Sequence, residues 1–147
     1  MNLTDLFDLT FQGPRAHSIA LEFEGQEFTF RELDERSNRV ARYLLENGFT
    51  LGDRLCVYLA NRVEMIDLYL ACIKLGVIFV PINILYRGRE IGHILSDADP
   101  AAVVSDARFA SPVEIWHPAT LAAEAAAADW CSKRSSNRIR HPLISQQ

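Results

Sequence analysis

Glu90, His93 and Asp97 stand three and four residues apart. That spacing puts them on one helix face, where an imidazole and two carboxylates could hold a divalent cation. A lone histidine between two acids on a connecting helix reads better as an exposed row of ion pairs. Lys74 lies in an apolar stretch, and a catalytic amine there would need a pocket and an acceptor. With no partner indicated, its place in a last helical turn, where a cation complements the carbonyl dipole, gives it a structural role. Ala60-Asn61-Arg62 is a strand-to-helix turn, the kind of junction where phosphate meets backbone amides. No glycine lets an anion approach that backbone, so Asn61 reads as a helix cap and Arg62 as a solvated surface charge. Ser105 lacks the glycine elbow of a hydrolase nucleophile. Asp106, at the carboxyl edge of the sheet, reads as a turn acceptor. His17, His117 and His141 have no partner at a recognisable spacing. No residue is therefore assigned to catalysis, cofactor binding or metal ligation.

The elements that would position these residues follow from periodicity. Ile19–Phe30 alternates apolar and polar side chains around Glu24-Gly25-Gln26, a hairpin signal with Leu21, Phe23, Phe28 and Phe30 facing inward. Thr29 with Glu32 three residues on forms a capping box. It opens a helix whose buried stripe is Leu33, Val40, Ala41, Leu44 and Leu45, with Glu35, Arg36, Arg39, Arg42 and Glu46 on the wet face. Gly48 ends that helix in a left-handed conformation. Leu55–Ala60, Val77–Ile82 and Ala101–Ser105 are short apolar runs, the pattern of strands covered on both faces of a parallel sheet. Between them lie a helix with Val63, Ile66, Leu70 and Ile73 buried and Gly76 as its stop, and a second helix over Gly88–Asp97. Strands alternating with helices predict an α/β fold: an N-terminal β-hairpin, then a doubly wound, mostly parallel sheet with flanking helices. Val113–Trp116 reads as a further strand and Pro118–Ala128 as a helix. The predicted organisation is a partial domain over 1–128 and a disordered basic tail over 129–147.

Composition narrows the functional classes. The 147 residues carry 15 basic and 19 acidic side chains, unevenly placed. Residues 1–131 hold 11 basic and 19 acidic groups, whereas 132–147 hold Lys133, Arg134, Arg138 and Arg140 with no acid. An acidic body argues against nucleic acid as a partner, since phosphate contacts need a clustered basic face. The three cysteines, Cys56, Cys72 and Cys131, have no zinc-type spacing, and the first two sit in apolar elements as core thiols of a reducing compartment. The N-terminal segment has early acids and no basic leader, so no signal peptide is expected. The longest apolar stretch, Leu68–Leu85, is interrupted by Lys74, Pro81 and Asn83, which favours a buried core over a membrane span. Cytoplasm is the expected location.

Two stretches and a connector carry a family resemblance. Phe28–Leu45, FTFRELDERSNRVARYLL, resembles the first core motif of the adenylate-forming (AMP-dependent) synthetases of the acyl-CoA synthetase type. Leu70–Asn83, LACIKLGVIFVPIN, resembles the second, and Tyr86–Pro100 follows the family's Arg-rich turn and Asp-Ala ending. The match spans about residues 17–106 and extends toward Ala128. The resemblance implies a reaction in which a carboxylic acid, ATP and coenzyme A give acyl-CoA, AMP and pyrophosphate, with Mg²⁺.

The departures are as specific as the matches. The family's Ser/Thr/Gly-rich phosphate loop ending in Lys should follow the third strand, yet the seven glycines never cluster and only two lysines exist. The later aromatic-Thr-Glu segment, the ribose-binding Asp and the lid with its catalytic Lys are also missing. The expectation is a truncated N-terminal piece of an acyl-CoA synthetase, inactive alone and binding no ATP, Mg²⁺ or coenzyme A by itself. The abrupt change at Trp130 points to a frameshift or early stop. The alternative is a split enzyme or interaction module that pairs, through an exposed sheet edge, with a polypeptide carrying the missing motifs. An unrelated small nucleotide-binding domain fails for want of a glycine loop. An under-covered sheet also predicts marginal stability or self-association.

Overall fold

The structure, a computed structural model, describes residues 3–106 and the backbone of 120–122. The chain opens with α1, Leu3–Gln12, an element the sequence reading did not anticipate. Phe7 and Phe11, four apart, stack at 5.6 Å on its inner face, and Phe11 meets Phe30 at 6.3 Å. The hairpin of β1 (Ile19–Phe23) and β2 (Gln26–Thr29) follows. Its two-residue turn, Glu24-Gly25, has positive φ at both positions (51° and 77°), the combination whose twist matches antiparallel strands. Leu21 faces Phe28 across the ladder. Leu21, Phe28 and Phe30 pack with Phe11, Leu33 and Leu70 as expected, whereas Phe23 turns to a surface cleft.

α2, Phe30–Glu46, begins with the predicted capping box. Glu32 Oε2 accepts from Thr29 N–H at 2.7 Å, and Thr29 Oγ1 accepts from Glu32 N–H at 3.2 Å. It ends as predicted at Gly48, φ 84°, where Gly48 N–H donates to Leu45 and Phe49 N–H to Leu44. Leu33, Val40, Ala41 and Leu44 are buried, but Leu45 is 47% exposed. It lies one residue outside the stripe and faces water.

The parallel sheet is built from β3 (Arg54–Tyr58), β4 (Ile78–Pro81), β5 (Ala102–Ser105) and β6 (Thr120–Ala122), in the order β4-β3-β5-β6. α3 (Val63–Leu75) crosses from β3 to β4, and α4 (Gly88–Ala98) from β4 to β5. Side chains alternate faces along β3. Leu55 and Val57 meet Val40, Leu44, Leu68 and Leu75 of α2 and α3, while Cys56 and Tyr58 meet Ile91 and Leu95 of α4. Helices on both faces make the sheet doubly wound, as predicted.

Three expectations change. β4 is not covered on both faces: it forms a sheet edge among the described residues, with Ile78 and Pro81 exposed. Val63 and Leu70 of the expected α3 stripe are buried, but so are Leu68, Ala71, Cys72 and Leu75 toward the sheet and Asp67 and Lys74 elsewhere. Ile66 is 37% exposed and Ile73 half-buried, because a helix enclosed on two sides has no single stripe. Residues 120–122, read as part of a helix, pair as a strand in register with Val103–Ser105, where ladder hydrogen bonds outweigh alanine's helix propensity. The Val113–Trp116 strand, the 129–147 tail, Cys131, His117 and His141 lie outside the described residues. No helix among the described residues is long and apolar enough to cross a membrane.

Candidate functional site

β3 is followed in sequence by β4 on one side and in space by β5 on the other, so the winding reverses between β3 and β5. Open α/β sheets bind ligands in the crevice outside the strand ends at such a point. A cleft of about 460 Å³ lies there, lined by Phe23 and Phe28 of the hairpin, Arg36 of α2, Asn61 and Arg62 before α3, and Asp106 after β5.

Charge in this cleft is matched internally. Asp106 is 1% exposed; its Oδ1 accepts from Arg62 Nη1 at 2.6 Å and its Oδ2 from Ala60 N–H at 3.2 Å. Arg62 Nε donates to Glu64 Oε2 at 2.9 Å. The Glu64 hydrogen bond, and with it Asp106, outweighs burial and holds the Arg62 guanidinium still more firmly protonated than usual. Burial opposes ionisation of Glu64, yet the Arg62 hydrogen bond and charge keep its carboxyl below the ordinary range. Arg36 grips fully buried Asp67 in a fork, Nε to Oδ1 at 3.0 Å and Nη2 to Oδ2 at 2.6 Å. Burial pushes the Asp67 carboxyl up, and Arg36 works against that rise. Arg36 also lies 5.3 Å from the Phe28 ring centre.

The sequence-selected residues fare differently. Asp106 is an acceptor, as expected, but it ties two strand ends together rather than closing a turn. Arg62 is not a solvated charge, and it, not Asn61, occupies the N-cap of α3, with no side-chain cap bond. Asn61 is exposed on the cleft wall, where the extended backbone before the helix carries it away from the first-turn amides. Lys74 has the structural role expected, by a different cause. It is 7% exposed, and its ammonium donates to Asp34 Oδ1 (2.7 Å), Ser37 Oγ (2.6 Å) and Asn38 Oδ1 (3.0 Å), knotting α3 to α2. Glu90 caps α4 by accepting from Arg87 N–H at 3.1 Å, and its own and Arg87's amides lower its carboxyl pKa. His93 and Asp97 are exposed, and no group of three His, Cys, Asp or Glu among the described residues could hold a metal. Ser105 Oγ is buried with no hydrogen-bond partner among the described residues.

Arg36, which the sequence places on the wet face of α2, is instead mostly buried against Asp67, and nothing in the sequence reading singles out Asp67. A signal existed for Asp67: an acid between Ile66 and Leu68 in an apolar helix must be paired if buried. Nothing in local spacing names its partner 31 residues upstream.

The site and sheet define the class: a doubly wound α/β subdomain whose strand-end cleft is lined by its own ion pairs. Residues 10–142 match the AMP-binding enzyme family, and the chain belongs to it. It is 32% identical over 102 residues to a 3-oxocholest-4-en-26-oate--CoA ligase of Rhodococcus rhodochrous, covering 69% of this chain and 18% of the relative. It is 35% identical over 91 residues to a long-chain-fatty-acid--CoA ligase of Salmonella typhimurium, covering 61% and 16%. The chain thus spans less than a fifth of these relatives' length. Among solved structures, apo MatB from Rhodopseudomonas palustris superposes with a TM-score of 0.81 at 26% identity, over 93% of this chain and 29% of that one. The N-terminal subdomain of Klebsiella oxytoca NpsA, in complex with 3-hydroxyanthranilyl-AMSN, does so at 0.78 and 29%, over 93% and 33%.

Proposed function

We propose that these residues are scaffold of an AMP-forming acyl-CoA synthetase and supply none of its reacting groups. One observation carries this reading: the cations at the strand-end cleft already meet carboxylates of the same chain. ATP does not fit there. A phosphate would meet the Asp106 and Glu64 carboxylates at the positive end of α3, and no glycine opens the Ala60–Arg62 backbone to it. Mg²⁺ has no cluster of ligands among the described residues. The test is ATP–pyrophosphate exchange by the purified 147-residue chain with short, medium, long-chain and aromatic acids. No exchange is expected, and robust turnover by this chain alone overturns the reading. The same reading places the protein in the cytoplasm, in keeping with the free thiols Cys56 and Cys72.

A second reading, association with a separate polypeptide carrying the missing motifs, is favoured by the β4 side of the sheet. Ile78 is 48% exposed there, with Ile66 and Tyr69 of α3 also exposed. The N–H groups of Ile78 and Ile82 bond to the β3 side, and Pro81 has none to offer outward. Pro81 leaves Phe79 to offer an outward N–H on this strand, so a partner would pack chiefly on side chains. Restored exchange on mixing with the remaining domain of a related ligase supports this reading. Failure to bind that domain refutes it.

A further inference from the structure

Along β4, an edge of the sheet among the described residues, hydrogen-bonding capacity on the outer side is confined to one place. Ile78 and Ile82 donate toward β3, Pro81 has no N–H, and Val77 N–H already donates to the Cys72 carbonyl at 2.9 Å. Phe79 is left with an outward N–H and an outward C=O. One donor and one acceptor on a single residue are what a hydrogen-bonded antiparallel pair takes from each side. Such an edge is complementary to itself. Phe79 lies on the α3 face of the sheet with Tyr69 edge-on at 5.5 Å, and Ile66 stands one turn away on α3. Tyr69 is 42% exposed and Ile66 37%, while Ile78, on the opposite face, is 48% exposed. None of these positions is charged, so two copies of a chain of net charge −4 meet here with no like charges opposed.

We propose that this face binds a second copy of the chain, the two β4 strands pairing antiparallel about a two-fold axis at Phe79. The two Phe79 residues exchange both N–H···O=C bonds, with Cα atoms about 5.5 Å apart. The axis stands perpendicular to the sheet, which keeps both α3 helices on one face. Tyr69 and Ile66 of each copy then meet beside the paired Phe79 rings, an uncharged, aromatic-centred patch of the kind that carries binding energy. On the other face Ile78 of each copy opposes Val80 of the other, at the closer non-hydrogen-bonded spacing of about 4.5 Å. Pro81 ends the pairing two residues from the axis, and a two-fold contact closes on itself, so the product is a dimer and not an open stack. The inference does not depend on the scaffold reading, and it competes with a separate polypeptide for one surface.

Sedimentation of the 147-residue chain over a range of concentrations tests it. A concentration-dependent dimer is expected, and Ile78→Lys should weaken it about tenfold or more. A cysteine pair reads the register. In a Cys131→Ser background, Ile78→Cys with Val80→Cys sets thiols opposite each other across the axis, and oxidation should give a covalent dimer. Ile78→Cys alone should not, because its two copies stand two positions out of step, more than about 7 Å apart. If the lysine variant fails to fold, the cysteine pair decides alone. A monomer at every concentration overturns the proposal, as does a dimer that folded Ile78→Lys leaves intact or that Ile78→Cys alone cross-links. A monomer that binds the remaining domain of a related ligase through β4 overturns it too, and leaves the separate-polypeptide reading standing.

Discussion

Two regions of this molecule hold charge in opposite ways. In the α2–α3 seam, Lys74 and Asp67 are buried and each is gripped across the helix pair, by Asp34, Ser37 and Asn38 or by Arg36. In the cleft above β3 and β5, Arg62 keeps 27% of its side chain in water while joining Glu64 and Asp106. The seam sits where only structure is at stake; the cleft sits where open α/β sheets place their ligands. Both are cross-links between elements, and they differ in what they join: two helices in the seam, two strand ends in the cleft. Position on a fold marks where chemistry could occur, and only the partners of each side chain say whether it does.

The largest effect should come from breaking the seam. Arg36→Ala strands the buried Asp67 carboxylate without its guanidinium, and a loss of about 3–5 kcal/mol is expected in a urea titration. Lys74→Met keeps the stem but removes the ammonium from its acceptors; about 1.5–3 kcal/mol is expected. A smaller loss than for Thr29→Ala would contradict the knot. Asp106→Asn, which weakens a buried acceptor of Arg62, should cost about 1.5–3 kcal/mol and leave binding of a labelled ATP analogue undetectable. A gain of ATP binding would reopen the cleft as a nucleotide site. Thr29→Ala, which removes the hydroxyl of the α2 capping box together with the γ-methyl, should cost about 1 kcal/mol.

A pH titration separates these cross-links from the apolar core beneath them. Burial raises the Cys56 thiol to about 11 and the Cys72 thiol to about 12. Both folded values exceed the unfolded one, so their contribution is complete below the ordinary thiol range near 9 and is lost as pH rises to about 11–12. Cys56→Ala should flatten part of that alkaline slope in thermal melts, and an unchanged slope would count against the burial assigned to it. Glu64 has the opposite sign: its lowered pKa gives stability that is lost on acidification below the ordinary carboxylate range.

Much of the fold was legible because its signals are local. The Thr29–Glu32 box, the Glu24-Gly25 turn and the glycines ending α2 and α3 each act within a few residues, and the strand–helix alternation sets the rest. The exposure of β4 was not legible, since VIFVPI reads the same in the middle of a sheet as at its edge. α1 is only weakly marked in the sequence, since Phe7 and Phe11 at helical spacing are its one inward pair and Leu3, Leu6 and Leu9 face outward. At the site, residue types were visible but pairings were not. Arg62 reaches Asp106 across 44 residues and Lys74 reaches Asp34 across 40, distances at which periodicity carries no information.

The strand order also has a consequence in time. β3 lies between β4 and β5, but β4 precedes β5 in the chain. A nascent chain can therefore close β3 against β4 while the other edge of β3, Leu55 to Tyr58, waits for its neighbour. At about 5–20 residues per second, the stretch from the end of β4 through β5 takes roughly one to five seconds to synthesise. For that interval the central strand of the sheet is a temporary edge. Crossing by α4 and seating of Val103 and Val104 end its exposure.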